Sequence, residues 1–364
     1  MGKQFGAIYL ILGTCIAAGM LGLPVVTSSN HFSLTLMMII SAWVLMTTGA
    51  WCLLQVTLTM PPGANLISMS QKTLGNTVKI ITWCIYLLLL YSLICAYLAA
   101  SGDLLQHLFR AIHVMIPRWC ATMIAAVILG SIVTHGIHSV DWVNRVLMTT
   151  KIIICLLVIT SVVPFTHRHN LSLGTMHWSG NAWLVIICAF GYAIILPSIR
   201  DYLGNDKKQL TRVVMIGSVL PVILYIVWIA VIQGALARPE LIAMNNSANT
   251  NSLLMTHVAA LTHHAAIQSL SVIFISICSI TGFLGVSLCL MDFLADGIQV
   301  QKIGKNKVGL AALAFLPPTI IVIVDPAIFI RALAYAGICC LYILIALPIA
   351  MYIRNKTNKT KSCN

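Results

Sequence analysis

Gly13-Thr-Cys-Ile-Ala-Ala-Gly-Met-Leu-Gly-Leu-Pro24 lies inside the first apolar run of the chain, residues 5–28. Three glycines and a proline within twelve residues weaken a helix by several kcal/mol in water, at about 1 kcal/mol per Gly and about 3 for Pro. In lipid such weakness is tolerated only where the freed backbone groups face protein or a cavity. The stretch therefore reads as a membrane helix broken in its middle. Ala189-Phe-Gly-Tyr-Ala-Ile-Ile-Leu-Pro197 repeats the pattern further along.

The surrounding composition supports a membrane setting. Of 364 residues, 60% are apolar and 8% charged, against roughly 45–50% and 25% in soluble domains. Eight acids cannot clothe a soluble surface of this length, which excludes a soluble enzyme. The dominance of Ile, Leu, Val and Met excludes a disordered or fibrous chain. The fold class is an all-α polytopic membrane protein. Apolar segments run over 5–28, 33–59, 79–102, 120–136, 146–164, 182–199, 212–234, 266–291, 308–324 and 327–353, giving ten transmembrane helices of about 20 residues. The run at the N-terminus has no small-residue cleavage site leading to a soluble domain, so it reads as the first span rather than a signal peptide. Residues 1–364 form one integral membrane domain, with 354–364 a basic tail; 64–77 is expected as an interfacial helix and 238–264 as a loop with some helix.

With the N-terminus inside, 16 of the 21 basic residues, from Lys3 to Lys361, fall on the cytoplasmic side. Arg110, Arg118, Arg168, Arg238 and Arg331 fall outside. That bias is the positive-inside pattern. It puts both termini in the cytoplasm and accounts for most of the +13 charge without a nucleic-acid partner. The twelve cysteines form no C-x-x-C pair and no zinc spacing, and read as small buried hydrophobes.

Segments 1 and 6 each open one half of the chain, and because five is odd they cross in opposite directions. Repeat one covers about 5–164 and repeat two about 182–353, a five-plus-five inverted repeat with broken helices 1 and 6. Interrupted helices at matching positions of inverted halves point to a transporter's midplane site. Half-helix N-termini offer N–H groups to a carboxylate, and bare carbonyls hold an ammonium or a cation, a pairing that suits a zwitterionic amino acid. The competing reading is that the glycines only let helices pack closely.

Ionisable residues within spans are candidates by default. Lys151 lies a little inside segment 5, where it can exchange protons or stand in for a sodium ion, or snorkel to the headgroups. Asp292 and Asp296 lie four apart at the inner end of segment 8 and either close an inner gate with Lys3 or pair with loop lysines. Tyr86, Tyr91 and Tyr97 in segment 3, with Ser276, Ser279 and Thr281 in segment 8, either line a pocket or bond between helices. The chain carries no G-x-x-x-x-G-K-[ST], H-E-x-x-H or G-x-S-x-G motif, and His263-His264 has no acid nearby. An enzyme is not expected, nor a nucleotide, a metal or another cofactor, so an ion gradient or the solute's own gradient drives transport.

Gly13 to Pro24 resembles the first-span signature G-T-x-I-G-A-G-M-L-x-x-P of the bacterial hydroxy and aromatic amino acid permeases, part of the amino acid–polyamine–organocation superfamily. The likeness recurs in Tyr91 to Leu105, Asp141 to Ile153, Phe190-Gly191, Leu196 to Ile199, Thr281 to Asp296, Phe315 to Pro318 and Leu333 to Gly337. It implies a secondary transporter of the bacterial inner membrane that imports an aromatic amino acid, tyrosine first, with protons rather than sodium. In related transporters a fifth-span lysine occupies a sodium position, which places Lys151 in proton coupling. The backbone around Gly13, Thr14, Ile16, Ala17, Ala18, Gly19 and Met20 is expected to hold the substrate carboxylate. Phe190, Gly191, Tyr192 and Ala193 are expected to close the other side, with Tyr91, Tyr97, Ser279 and Thr281 around the pocket. The chain departs from the pattern at Ala17, where the family has glycine, and at Tyr192 to Ile195, where small and polar residues are usual. An eleventh span carried by members of that family has no counterpart here and lies outside the repeat. A serine, threonine or tryptophan permease, and a membrane protein that binds an amino acid without transporting it, stay open as alternatives; oligomeric state has no sequence signal.

Overall fold

A computed structural model describes residues 3–61, 64–135, 137–262, 265–298 and 305–363, with side chains throughout except at 18, 135, 137–145, 262, 265–268, 305 and 358–363. His263-His264 and Lys302 therefore lie outside the described residues, as do the side chains of Ala18, Asp141 and Arg145. Among the described residues the chain is helical, with one isolated bridge between Asn30 and Thr175. The order is α1 Lys3–Cys15, α2 Ala18–Val26, α3 Phe32–Thr57, α4 Leu66–Leu74, α5 Asn76–Ala111, α6 Arg118–His135, α7 Ile137–Val162, α8 Arg168–Ser172, α9 Gly180–Ala189, α10 Leu196–Leu203, α11 Lys207–Ala235, α12 Arg238–Met244, α13 Thr250–Thr262, α14 Ala265–Ile298, α15 Lys305–Val324, α16 Phe329–Cys340 and α17 Leu347–Cys363.

Eight helices among the described residues are long and apolar enough to cross a membrane, and nine if the bent pair α1–α2 counts as one span. The expected fourth span is a shorter apolar helix, Arg118–Thr134. Large apolar side chains such as Met37, Ile80, Leu88, Val127, Leu156 and Ile320 point outward. In water they would make sticky patches; against lipid tails they are solvated. The segment expected at the interface forms α4, entered through a reciprocal cap in which Ser68 N donates to Asn65 Oδ1 at 2.8 Å and Asn65 N to Ser68 Oγ at 3.1 Å. The connection after α11 folds into α12 and α13.

The two expected breaks differ. Between α1 and α2 the axis bends by 46°; Ile16 and Ala17 leave the helix, and Ala17 is extended (φ −140°, ψ −164°). Between α9 and α10 the winding tightens to a 3₁₀ turn over Gly191–Ile195, yet Gly180–Leu203 still passes as one 24-residue span. Pro197 explains the milder break: it sits in the first turn of α10, where its missing N–H would have had no helical partner. A third irregularity, a wider π turn over Leu341–Ala346, joins α16 to α17; Pro348, just after it, has no N–H to return to Leu344 O.

Candidate functional site

The site grows from the end of α1. Ile16 N still donates to Leu12 O at 3.0 Å, but Ala17 N turns back to Cys15 O at 2.9 Å. That turn deprives Gly13 O of its ordinary i+4 donor, and Ile16 O lies beyond the helix end. Helix C-termini carry partial negative charge as well as unpaired carbonyls. Lys151, from α7, meets both: Nζ donates to Gly13 O at 2.8 Å, to Ile16 O at 2.7 Å and to Thr281 Oγ1 at 3.3 Å. All three ammonium protons have a partner. At 1% exposure the side chain points into the protein and does not snorkel. Thr281, in α14, passes its own proton to Ile277 O at 2.8 Å. One lysine thus joins α1, α7 and α14.

The second break is joined to the first by a residue the sequence did not single out. Tyr225 of α11 is fully buried, and its hydroxyl lies 2.9 Å from Cys15 O and 2.7 Å from Ala189 O. These carbonyls are the last of α1 and of α9. The phenol ring packs on Phe190 with centroids 4.9 Å apart.

A cavity of about 340 Å³ adjoins the breaks, within the range of small-molecule pockets, roughly 300–1,000 Å³. Its lining comes from α1 (Leu10, Gly13, Thr14), the break (Ala17), α5 (Leu89, Leu90, Leu93, Tyr97), α7 (Met148, Lys151), α9 (Cys188), the second break with α10 (Gly191, Ile194, Ile195, Ser198, Ile199), α14 (Thr281, Gly282, Gly285, Val286, Cys289), α16 (Cys340) and the π turn (Leu344). A Cβ built at Gly191 or Gly285 meets nothing within 4 Å, so both glycines face the opening. On the far side of the breaks α2 and α9 pack on each other: a Cβ at Gly19 would lie 3.0 Å from Ala189 Cα. That glycine serves close packing, as the competing reading held.

Of the expected site residues, the structure brings Gly13, Thr14, Ala17, Tyr97, Lys151, Gly191 and Thr281 to the cavity. Ile16 contributes its carbonyl to Lys151, while Met20, Phe190, Tyr192 and Ala193 are buried behind the wall. Tyr192 bonds Thr47 Oγ1 at 3.0 Å. Ser279 is buried away from the opening with its hydroxyl unpaired. Tyr91 faces α15 instead, donating to Leu313 O at 2.8 Å. Lys3, Asp292 and Asp296 are exposed and lie outside the cavity wall.

Sequence reading also missed a buried ionic cluster at the other end of α5. Asp103, 2% exposed, accepts from Ser252 N at 2.9 Å and Ser252 Oγ at 2.6 Å and pairs with Arg118 at 3.2 Å. Arg118 donates onward to Ala99 O at 2.7 Å and Ala248 O at 2.9 Å. The cluster ties the α12–α13 connection to α5 and α6.

Broken apolar helices, a cation lodged on the freed carbonyls and an adjoining cavity define a multi-pass membrane protein built to handle a small solute. The model of the tryptophan/tyrosine permease family matches residues 1–363, and the chain belongs to that family. It is 29% identical to tyrosine-specific transport system 2 of Haemophilus influenzae over 97% of this chain and 88% of that protein. It is likewise 29% identical to tyrosine-specific transport system 1 of the same organism, over 96% and 88%. A tryptophan-specific transport protein of Shigella flexneri is 27% identical over 92% of this chain and 82% of its own length. The chain is a permease of the aromatic amino acid class, not an enzyme.

Proposed function

We propose that the protein imports an aromatic amino acid, tyrosine first, across the bacterial inner membrane with protons, by alternating access. The observation that carries the reading is Lys151 Nζ on Gly13 O, Ile16 O and Thr281 Oγ1. These oxygens are the ones a cation at a broken helix would seek, and a protein side chain already fills the place. The hydroxyl of Tyr225 fills the junction of the two breaks in the same way. Sodium would have to displace a built-in donor at either position, which favours the proton.

The architecture we infer has ten spans in two inverted halves of five, counting α1–α2 as one span and the shorter α6 as another. The charge bias supports cytoplasmic termini. With that orientation the cavity, on the α1 side of the breaks, faces the cytoplasm. The packing of Gly19 on Ala189 then closes the outer path, as in the state that releases substrate inward. The carboxylate is assigned to the backbone from Ala17 into α2, where helix N-terminal amides are unpaired, and the ring to the apolar wall of Leu89, Leu90, Leu93 and Val286.

Proteoliposome uptake of labelled tyrosine under an imposed pH gradient tests the coupling. Accumulation that follows the gradient is expected; uptake indifferent to it would sink the proton claim. Tryptophan is the second reading, favoured by the tryptophan-specific relative. Competition by tyrosine, tryptophan, serine and threonine decides among substrates. Binding without accumulation would instead mark a receptor.

A further inference from the structure

Gly337 of α16 approaches α9 so closely that a Cβ there would lie 2.7 Å from the carbonyl carbon of Leu184 and 3.1 Å from its Cα. No side chain separates the helices at this contact. One turn further along each helix stand Cys188 and Cys340, where α9 and α16 both border the 340 Å³ cavity. Both residues belong to the wall of that cavity; Cys188 is half-buried and Cys340 is 3% exposed. Cys339 is a helical neighbour of Cys340 but does not line the opening.

We propose that Cys188 and Cys340 form a two-sulfur site for a soft, thiol-seeking group that bridges them, trivalent arsenicals being the class that fits. Thiolates select soft cations. Among the described residues no group of three or more His, Cys, Asp and Glu could hold a metal ion, so a tetrahedral zinc cage is not the alternative. With an aryl arsenoxide the chemistry is a substitution. Each thiol gives up its proton, two As–S bonds form, the arsenic–oxygen bond breaks, and the oxygen leaves with both protons as water. Arsenic stays trivalent throughout. The aryl group then occupies the cavity, and the bridge fixes α9 to α16 beside the second break.

Phenylarsine oxide added to the purified full-length protein tests this, and the adduct measurement is independent of the transport reading on which the uptake measurement rests. Mass spectrometry is expected to find one arsenical joining the peptides that carry Cys188 and Cys340. In proteoliposomes the reagent is expected to stop uptake, with recovery on adding a dithiol but not a monothiol. Cys188→Ser and Cys340→Ser are each expected to raise the half-inhibitory concentration by about a hundredfold, the order by which two linked contacts exceed one. Cys339→Ser is expected to leave the sensitivity as it was. An arsenical bridge elsewhere, or none in the unaltered protein, overturns the site; so does full sensitivity in Cys188→Ser. Where a serine variant fails to fold, the adduct in the unaltered protein still decides.

Discussion

Tyr225→Phe removes one oxygen from the junction of the two breaks and leaves the ring in place against Phe190, 4.9 Å away. The hydroxyl lies 2.9 Å from Cys15 O and 2.7 Å from Ala189 O, but it has one proton and satisfies one acceptor at a time. Cys15 O also accepts the Ala17 amide at 2.9 Å, so the loss falls mainly on Ala189 O. A buried acceptor stripped of its donor costs roughly 1–3 kcal/mol, and that single cost, not twice it, is the expected destabilisation. The measurement is chemical unfolding of the detergent-purified protein, wild type against variant. Tyr225→Leu serves as a second comparison, since losing the ring contacts as well should add a core-packing cost of up to a few kcal/mol. A Phe variant as stable as wild type within about 0.3 kcal/mol, well under the cost of one orphaned acceptor, would refute the claim that this hydroxyl joins the breaks. The same variant should bind substrate more weakly, because the two breaks that frame the cavity lose their common tie.

Lys151→Ala should abolish accumulation driven by an imposed pH gradient in proteoliposomes; unchanged proton dependence would remove Lys151 from coupling. Asp103→Ala leaves Arg118 without its buried partner at 3.2 Å and should destabilise the protein by about 3–5 kcal/mol, read as a fall in the unfolding midpoint. Gly19→Val places atoms within 3.1 Å of Ala189 Cβ and should cost roughly 1–3 kcal/mol by overpacking, with uptake lost. Gly285→Leu projects into open space: stability should hold while KM rises more for tryptophan than for tyrosine, and equal shifts would place the ring elsewhere.

The first break was legible because its glycines and proline are dense enough to defeat a helix. Lys151 was legible as a rare charge in an apolar run, though its direction was not: from sequence, snorkelling and inward burial look alike, and only the neighbouring carbonyls decide. Tyr91 and Tyr97 show a further limit. Six residues at about 100° each separate them by roughly 240° around α5, so one faces the cavity and the other Leu313, and the sequence does not say which. Asp103 stands one residue past the expected end of its segment, where a charge gives no sign of burial. Tyr225 had a usable signal: a hydroxyl deep in an apolar helix needs an acceptor. The π turn at Leu341–Ala346 had one in Pro348, whose missing N–H and ring leave Leu344 O without its helical donor; that carbonyl lies against Gly49 of α3.

A sodium ion bound at a broken helix is a passenger: it boards from one compartment and is discharged into the other. The amine of Lys151 is riveted to its helix by a covalent stem, so the nitrogen that holds α1 together never crosses the membrane. In the proposed cycle only its proton travels. The charge carried per cycle in that proposal is set by what moves on or off this nitrogen, while the cation that pins α1 is supplied by the chain itself and needs no sodium from outside.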